Sequence, residues 1–352
     1  MSTLLQFYKF SLAFMAVCFG LAVWYGYSST GSIAATGEIL WIVFVLTILE
    51  VSLSFDNAVV NATVLRDMSE KWQRRFLTWG ILIAVFGMRI IFPLAIVAIA
   101  AGIGPVDAIR LSLNEPETYE AIVSSAHVGI AGFGGAFLMM VGLNFFFDGE
   151  KDVHWIVAIE KFVTKVSNIK AAEIAIVLLL LYGISLWLEA AEALTFIVSG
   201  VLGLVTYIVV DGIGTILDMT EKKNLAEGAV RSGLGGFLYL EVLDASFSFD
   251  GVIGAFALTN NMLIIAIGLS IGAMFVRSMT IHLVRAGTLA QFRYLEHGAF
   301  WAIIALGTIM LFSAEFHIPE TITGLIGAVL IGLSLWWSVR HKRKMAAVAN
   351  PT

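Results

Sequence analysis

Five carboxylates stand where an isolated charge is costly: Glu50, Asp56, Glu241, Asp244 and Asp250 each fall inside a long apolar stretch. Taking an ionised carboxylate out of water into hydrocarbon costs on the order of several kcal/mol unless the group is protonated, paired or coordinated to a cation. Acids in such places point to ion chemistry. They also come in matched sets. Glu50 precedes Asp56 by six residues in Glu50-Val-Ser-Leu-Ser-Phe-Asp56-Asn57, and Asp244 precedes Asp250 by six in Asp244-Ala-Ser-Phe-Ser-Phe-Asp250-Gly251. An apolar background accounts for shared Phe and Ser, but not for four carboxylates at corresponding places.

On a helix turning about 100° per residue, Glu50, Ser54, Asn57 and Asn61 form one polar stripe, and Glu241, Asp244, Ser248 and Gly251 form another. Asp56 and Asp250 lie off these stripes. A local unwinding at Ser-Phe-Asp in each copy would swing the second acid round and free backbone carbonyls, as in the broken helices of transporters. Gly251 and Gly254 permit it in the second copy. Carboxylate, amide and hydroxyl oxygens suit manganese first, then calcium or magnesium; copper or zinc would recruit sulfur or several histidines. The expected metal ligands are Glu50, Asp56, Asn57, Glu241, Asp244 and Asp250, with Glu241 open to a second reading as an arginine's salt-bridge partner. Arg89 and Arg277, also within apolar segments, would balance excess negative charge, and acids that take up protons would couple ion movement to a proton gradient. Ser54, Asn61, His127, Asp211, Ser248 and His297 complete the surrounding or coupling set.

The elements that must carry these groups are membrane helices. The 352 residues are 59% hydrophobic and 13% charged, outside the range of a soluble domain. Stretches long enough to cross a bilayer run over residues 4–27, 38–63, 76–101, 121–147, 171–189, 193–217, 232–258, 262–284, 298–314 and 319–338. The expected fold is therefore an all-α, polytopic bundle of about ten spans, or nine if one segment is re-entrant. Cys18, the single cysteine, has no disulfide partner. No catalytic constellation stands out, and neither an enzyme nor a nucleic-acid binder is expected.

Basic residues concentrate in alternate loops: Arg66, Lys71, Arg74 and Arg75; Lys151, Lys161, Lys165 and Lys170; Lys222, Lys223 and Arg231; Arg285 and Arg293; and the tail from Arg340 to Lys344. By the positive-inside rule both termini are cytoplasmic. The two Ser-Phe-Asp helices then run in opposite directions, each followed by an arginine-bearing helix and a Gly- and Phe-rich one, which is an inverted repeat. The expected division is a first helix and loop (1–37), a first three-helix unit (38–147), a connector and two-helix linker (148–231), a second three-helix unit (232–314), and a last helix with a basic tail (315–352). Within the connector, Trp155, Ile156, Ile159, Phe162, Val163 and Val166 make an amphipathic stripe expected on the inner membrane surface.

The paired signatures LEVSLSFDNAVVNA (49–62) and LEVLDASFSFDGVIGAFA (240–257) resemble the TerC family of integral membrane proteins, most closely a bacterial branch in which both units read Ser-Phe-Asp. The resemblance covers about residues 38–314. It implies kinship with the lysine-exporter superfamily, several of whose members are connected with manganese or calcium efflux, and carries site roles onto Glu50, Asp56, Asn57, Glu241, Asp244 and Asp250. Typical members read Gly-Ile-Asp-Asn and Asp-Ser-Ile-Pro-Ala, so the second copy here lacks a hydroxyl and a helix-breaking proline. The expected function is divalent-cation efflux across a bacterial inner membrane, with membrane lipids and the metal ion as partners and a homo-oligomer compatible with it. The competing expectation is a non-transporting scaffold or stress sensor whose buried acids are structural.

Overall fold

The computed structural model describes residues 2–80, 82–148, 153–166, 171–224, 233–287, 291–316 and 318–349. The side chain of Asp250 and the basic residues Lys151, Lys170 and Arg231 lie outside what is described. Every regular element among the described residues is helical: α1 (Ser2–Thr30), α2 (Ile33–Leu53), α3 (Phe55–Arg66), α4 (Glu70–Arg75), α5 (Phe92–Ala100), α6 (Pro105–Asn114), α7 (Pro116–Ser125), α8 (His127–Phe147), α9 (Val157–Val166), α10 (Ala172–Ser185), α11 (Ala190–Asn224), α12 (Gly233–Phe256), α13 (Met262–Arg285), α14 (Leu295–Ser313) and α15 (Glu320–Ala349). Local sequence explains several starts. Ser32 caps α2 by accepting from the Ala35 amide, and Asn261 caps α13 by accepting from the Leu263 and Ile264 amides. Pro105 and Pro116 open α6 and α7 at positions where a missing N–H is harmless.

Seven helical stretches among the described residues are long and apolar enough to cross a membrane: Gln6–Thr30, Ile33–Leu53, Glu70–Ile99, His127–Phe147, Ala190–Ile213, Met262–Arg285 and Leu295–Ser313. The chain is thus an all-α, multi-pass membrane bundle. Of the further segments expected to span, α10 is apolar but short. The 24 residues of α12 carry Glu241, Asp244 and Asp250, so this helix depends on its neighbours for shielding. Large apolar side chains on the outer faces, among them Trp24, Trp41, Leu179 and Leu194, are exposed and suit contact with lipid.

Packing brings the two motif-bearing segments together. The helix α12 lies against both α2 and α3. Moreover, α13 packs on α2, the segment Ile83–Ile91 packs on α12, and α8 packs on α14. The second helix of each expected unit therefore lies against the first helix of the other, and the third helices pair.

Two sequence readings need adjustment. The stretch from Asp107 to Glu117, which lies between the expected spans 76–101 and 121–147, is folded into α6 and the start of α7, and Tyr119 and Val123 are fully buried. Tyr119 packs on Phe256 of α12. In the connector, the acid Glu160 is buried while Val157 and Ile159 are exposed. Glu160 accepts from the Trp155 and Ile156 amides at 2.9 and 3.0 Å and from Trp301 Nε1 at 3.2 Å, so it ties the start of α9 to α14.

Along the α8–α11 contact the backbones meet closely. A Cβ added at Gly132 would lie 2.6 Å from the carbonyl oxygen of Phe196, whereas one added at Gly183 would meet nothing within 4 Å. Small residues permit this approach in lipid, where helix association relies on close packing. Gly132→Val should lower the thermal midpoint of the detergent-solubilised protein by roughly 3–6 °C, with Gly183→Ala leaving it unchanged or higher; scanning fluorimetry of the three proteins checks this.

Candidate functional site: a buried network of acids and arginines

The first motif is interrupted where the sequence suggested. Ser54 leaves helical geometry at φ −101° and ψ 16°, closing α2 with a bond from its amide to the Glu50 carbonyl at 3.0 Å, and α3 begins at Phe55. The break puts Asp56 in the first turn of α3, where the helix dipole favours an anion, and its Oδ1 accepts from the Asn57 amide at 2.9 Å. The second motif behaves differently. The helix α12 runs unbroken past Gly251 and Gly254 to Phe256, so the unwinding expected there does not occur. Gly251 has another use, since a Cβ at this position would lie 2.9 Å from Glu50 Oε2. On its other side Glu50 passes Gly272 of α13, where a Cβ would fall 2.5 Å from the Glu50 Cβ. The two glycines make the slot through which this carboxylate reaches the interior.

Between α4 and α5 the chain continues as π-helix over Phe76–Gly80 and Ile83–Ile91. Such wide turns are rare and collect at functional sites. Arg89 lies near the end of the second π segment. Its Nη1 donates to the Ala84 carbonyl at 2.9 Å, its Nη2 donates to Glu50 Oε1, and its Nη1 stands 3.7 Å from Asp244 Oδ2. Asp244 Oδ1 in turn accepts from Asn57 Nδ2 at 2.8 Å. A continuous polar chain, Asn57–Asp244–Arg89–Glu50, thus joins the two motifs, and Ser54 Oγ donates to Glu50 Oε1 at 3.2 Å.

Arg277 sits beside it, with Nη2 3.7 Å from Glu241 Oε1 and 3.8 Å from Asp244 Oδ2. Its Nη1 donates to the Phe76 carbonyl at 3.2 Å and its guanidinium lies over the Phe76 ring. Glu50, Asp56, Asn57, Asn61, Arg89, Glu241, Asp244, Ser248 and Arg277 are all buried. Charge and hydrogen bonding remain incompletely balanced. Glu50, Glu241 and Asp244 face Arg89 and Arg277, three acids against two arginines, whereas Asp56 lies apart from both and faces α15, where a Cβ at Gly327 would stand 3.5 Å from its Oδ2. Both oxygens of Glu241, Asp244 Oδ2 and the amide oxygens of Asn57 and Asn61 receive no hydrogen bond within the described protein. Buried acceptors in that condition call for explanation, because nearly all find a donor.

The remaining expected residues are placed elsewhere or serve their own helices. Ser248 Oγ donates to the Asp244 carbonyl at 2.5 Å. His127 Nε2 is 3.1 Å from the Ser313 carbonyl oxygen, linking α8 to α14. His297 Nε2 lies 2.8 Å from the Val153 carbonyl oxygen and 3.7 Å from Glu160, in the contact that holds the connector. Asp211 is exposed on α11. Among the described residues no group of three or more His, Cys, Asp or Glu side chains is gathered as a metal centre. Glu160 is the residue that sequence reasoning missed; an acid in the middle of an apolar stripe, between Ile156 and Val163, was the available signal.

Removing one member of a buried ion pair strands the other. Arg89→Met should therefore cost about 3–5 kcal/mol, and adding Glu50→Gln to it should restore a large part. Thermal unfolding of the three proteins in one detergent checks this; equal losses in the single and double variants would show that the pair is not coupled.

Residues 55–345 match a family described as Protein of unknown function (DUF475). The match begins at Phe55, just after the helix break, and contains Asp56, Arg89, Glu241, Asp244 and Arg277. No curated protein and no solved structure matches the chain. With most of its length covered, the chain belongs to the DUF475 family of membrane-embedded helical proteins.

Proposed function

We propose that this protein moves a divalent cation across the membrane, manganese first and calcium or magnesium next, and that the observed arrangement is its arginine-locked state. The supporting observation is the Asn57–Asp244–Arg89–Glu50 chain, which joins the two copies of the acidic motif inside the bundle while leaving other buried acid and amide oxygens without donors. In this reading an arriving cation takes the place of the guanidinium groups beside Glu50, Glu241 and Asp244. One divalent ion would bring the same positive charge as the two guanidinium groups it replaces. The arginines keep the acids from repelling one another when no ion is bound and weaken the hold on the ion, and both are needed if it is to enter and leave.

The reciprocal packing of α13 on α2 and of the π segment on α12 suits two inverted units alternating about the shared acids. The proposal extends to about ten passes, cytoplasmic termini, location in a bacterial inner membrane and the TerC and lysine-exporter likeness of the paired Ser-Phe-Asp signatures. A scaffold reading also has a specific observation in its favour, since Glu50, Glu241 and Asp244 each lie within 4 Å of an arginine nitrogen. On that reading the ion pairs are permanent.

Reconstituted protein should carry manganese into vesicles down an imposed gradient, with Glu50→Gln and Asp244→Asn each reducing the rate at least tenfold. Fluxes equal to those of empty vesicles for manganese, calcium and magnesium would support the scaffold instead.

A further inference from the structure

A cavity of about 600 Å³ opens between α1 and α13, with Arg277 among its lining residues. Its walls come from the start of α1, from Thr78 on the first π segment and from the end of α13, so it lies at one end of the bundle. That end is basic, with Arg74, Arg75 and Arg285 close in sequence to its walls. Lys9 and Arg285 line the cavity and are exposed at its mouth, while Arg277 contributes to its inner wall. Phe10 and Ile281 supply apolar surface beside these charges, and Phe10 is 67% exposed on the outside of α1, where the bundle meets lipid.

The pairing of fixed cations with a laterally open apolar wall at a helix end describes an amphiphilic anion better than a freely soluble one. Long basic side chains at this depth carry their charge to the headgroup level while their stems cover apolar surface. Arg277, 4% exposed, adds a fixed positive charge to the inner wall. A guanidinium in the wall of a cavity attracts a phosphate by its charge.

We propose that this cavity binds an anionic phospholipid, with the phosphodiester held among Lys9, Arg285 and Thr78 and an acyl chain laid along Phe10 and Ile281. Since Arg277 also stands 3.7 Å from Glu241 and 3.8 Å from Asp244, a phosphate at this wall would share the guanidinium with the acid network. The lipid site stands without the transport reading, because its test measures lipid binding alone.

The full chain in a neutral detergent should melt about 5 °C higher with saturating phosphatidylglycerol, and unchanged with phosphatidylcholine or inorganic phosphate. Lys9→Gln/Arg285→Gln should melt as the parent does and lose the response. An equal shift with phosphatidylcholine, a shift with inorganic phosphate of the same size, or a phosphatidylglycerol response that survives in the double variant would overturn the proposal. A photoactivatable phosphatidylglycerol on the unaltered protein decides the matter independently of how the variant folds: cross-links mapped to α1 or the end of α13 support the site, and cross-links confined to other helices overturn it.

Discussion

The bundle is organised by one requirement, that carboxylates held inside an apolar protein must face positive charge. Arg89 meets it by standing between Glu50 of α2 and Asp244 of α12, acids almost two hundred residues apart in the chain. Several unusual features become intelligible as consequences. Glycines at 251 and 272 leave room for the Glu50 side chain, and Asn57, just past the break at Ser54, reaches Asp244. The π-helical stretch around Arg89 widens the backbone where the guanidinium must reach an acid on each side. An ordinary helix core would need none of these departures.

The same pairing sets up the chemistry. Arginine stays protonated in proteins, so Arg89 and Arg277 can stop neutralising an acid only by moving away from it. Replacing a guanidinium by a metal ion is therefore a positional exchange, and position is what alternates when two packed units rock against each other. Glu241 is the most loosely held acid of the network, because neither of its oxygens receives a hydrogen bond within the described protein and its nearest cation stands at 3.7 Å. The connector is held apart from this network: Glu160 and His297 fasten it to α14, the helix that pairs with α8.

Much of the site was legible because burial of charge is written directly into composition. Acids at 50, 56, 241 and 244 and arginines at 89 and 277 are conspicuous in apolar runs, and the matched spacing announced that α2 and α12 belong together. The break at Ser54 was readable for a related reason, since Asp56 falls off the polar stripe of an unbroken helix. The continuous course of α12 was not. Gly251 permits either local unwinding or close approach of another side chain, and only tertiary packing shows that it meets Glu50. The π segments were hidden because their residues are ordinary helix formers, and the folding of residues 105–125 was hidden because polar residues there signal exposure without signalling irregularity. The ligand role expected of Asp250 falls on a side chain outside the described set.

A structure determined with manganese present, using the metal's anomalous scattering to locate it, tests the exchange most directly. The account predicts a single strong peak within coordination distance of both Glu50 and Asp244 carboxylates, with Arg89 withdrawn from at least one of them. Arg89 bridging both acids unchanged, in protein that nevertheless holds manganese elsewhere or holds none at saturating concentration, would contradict it.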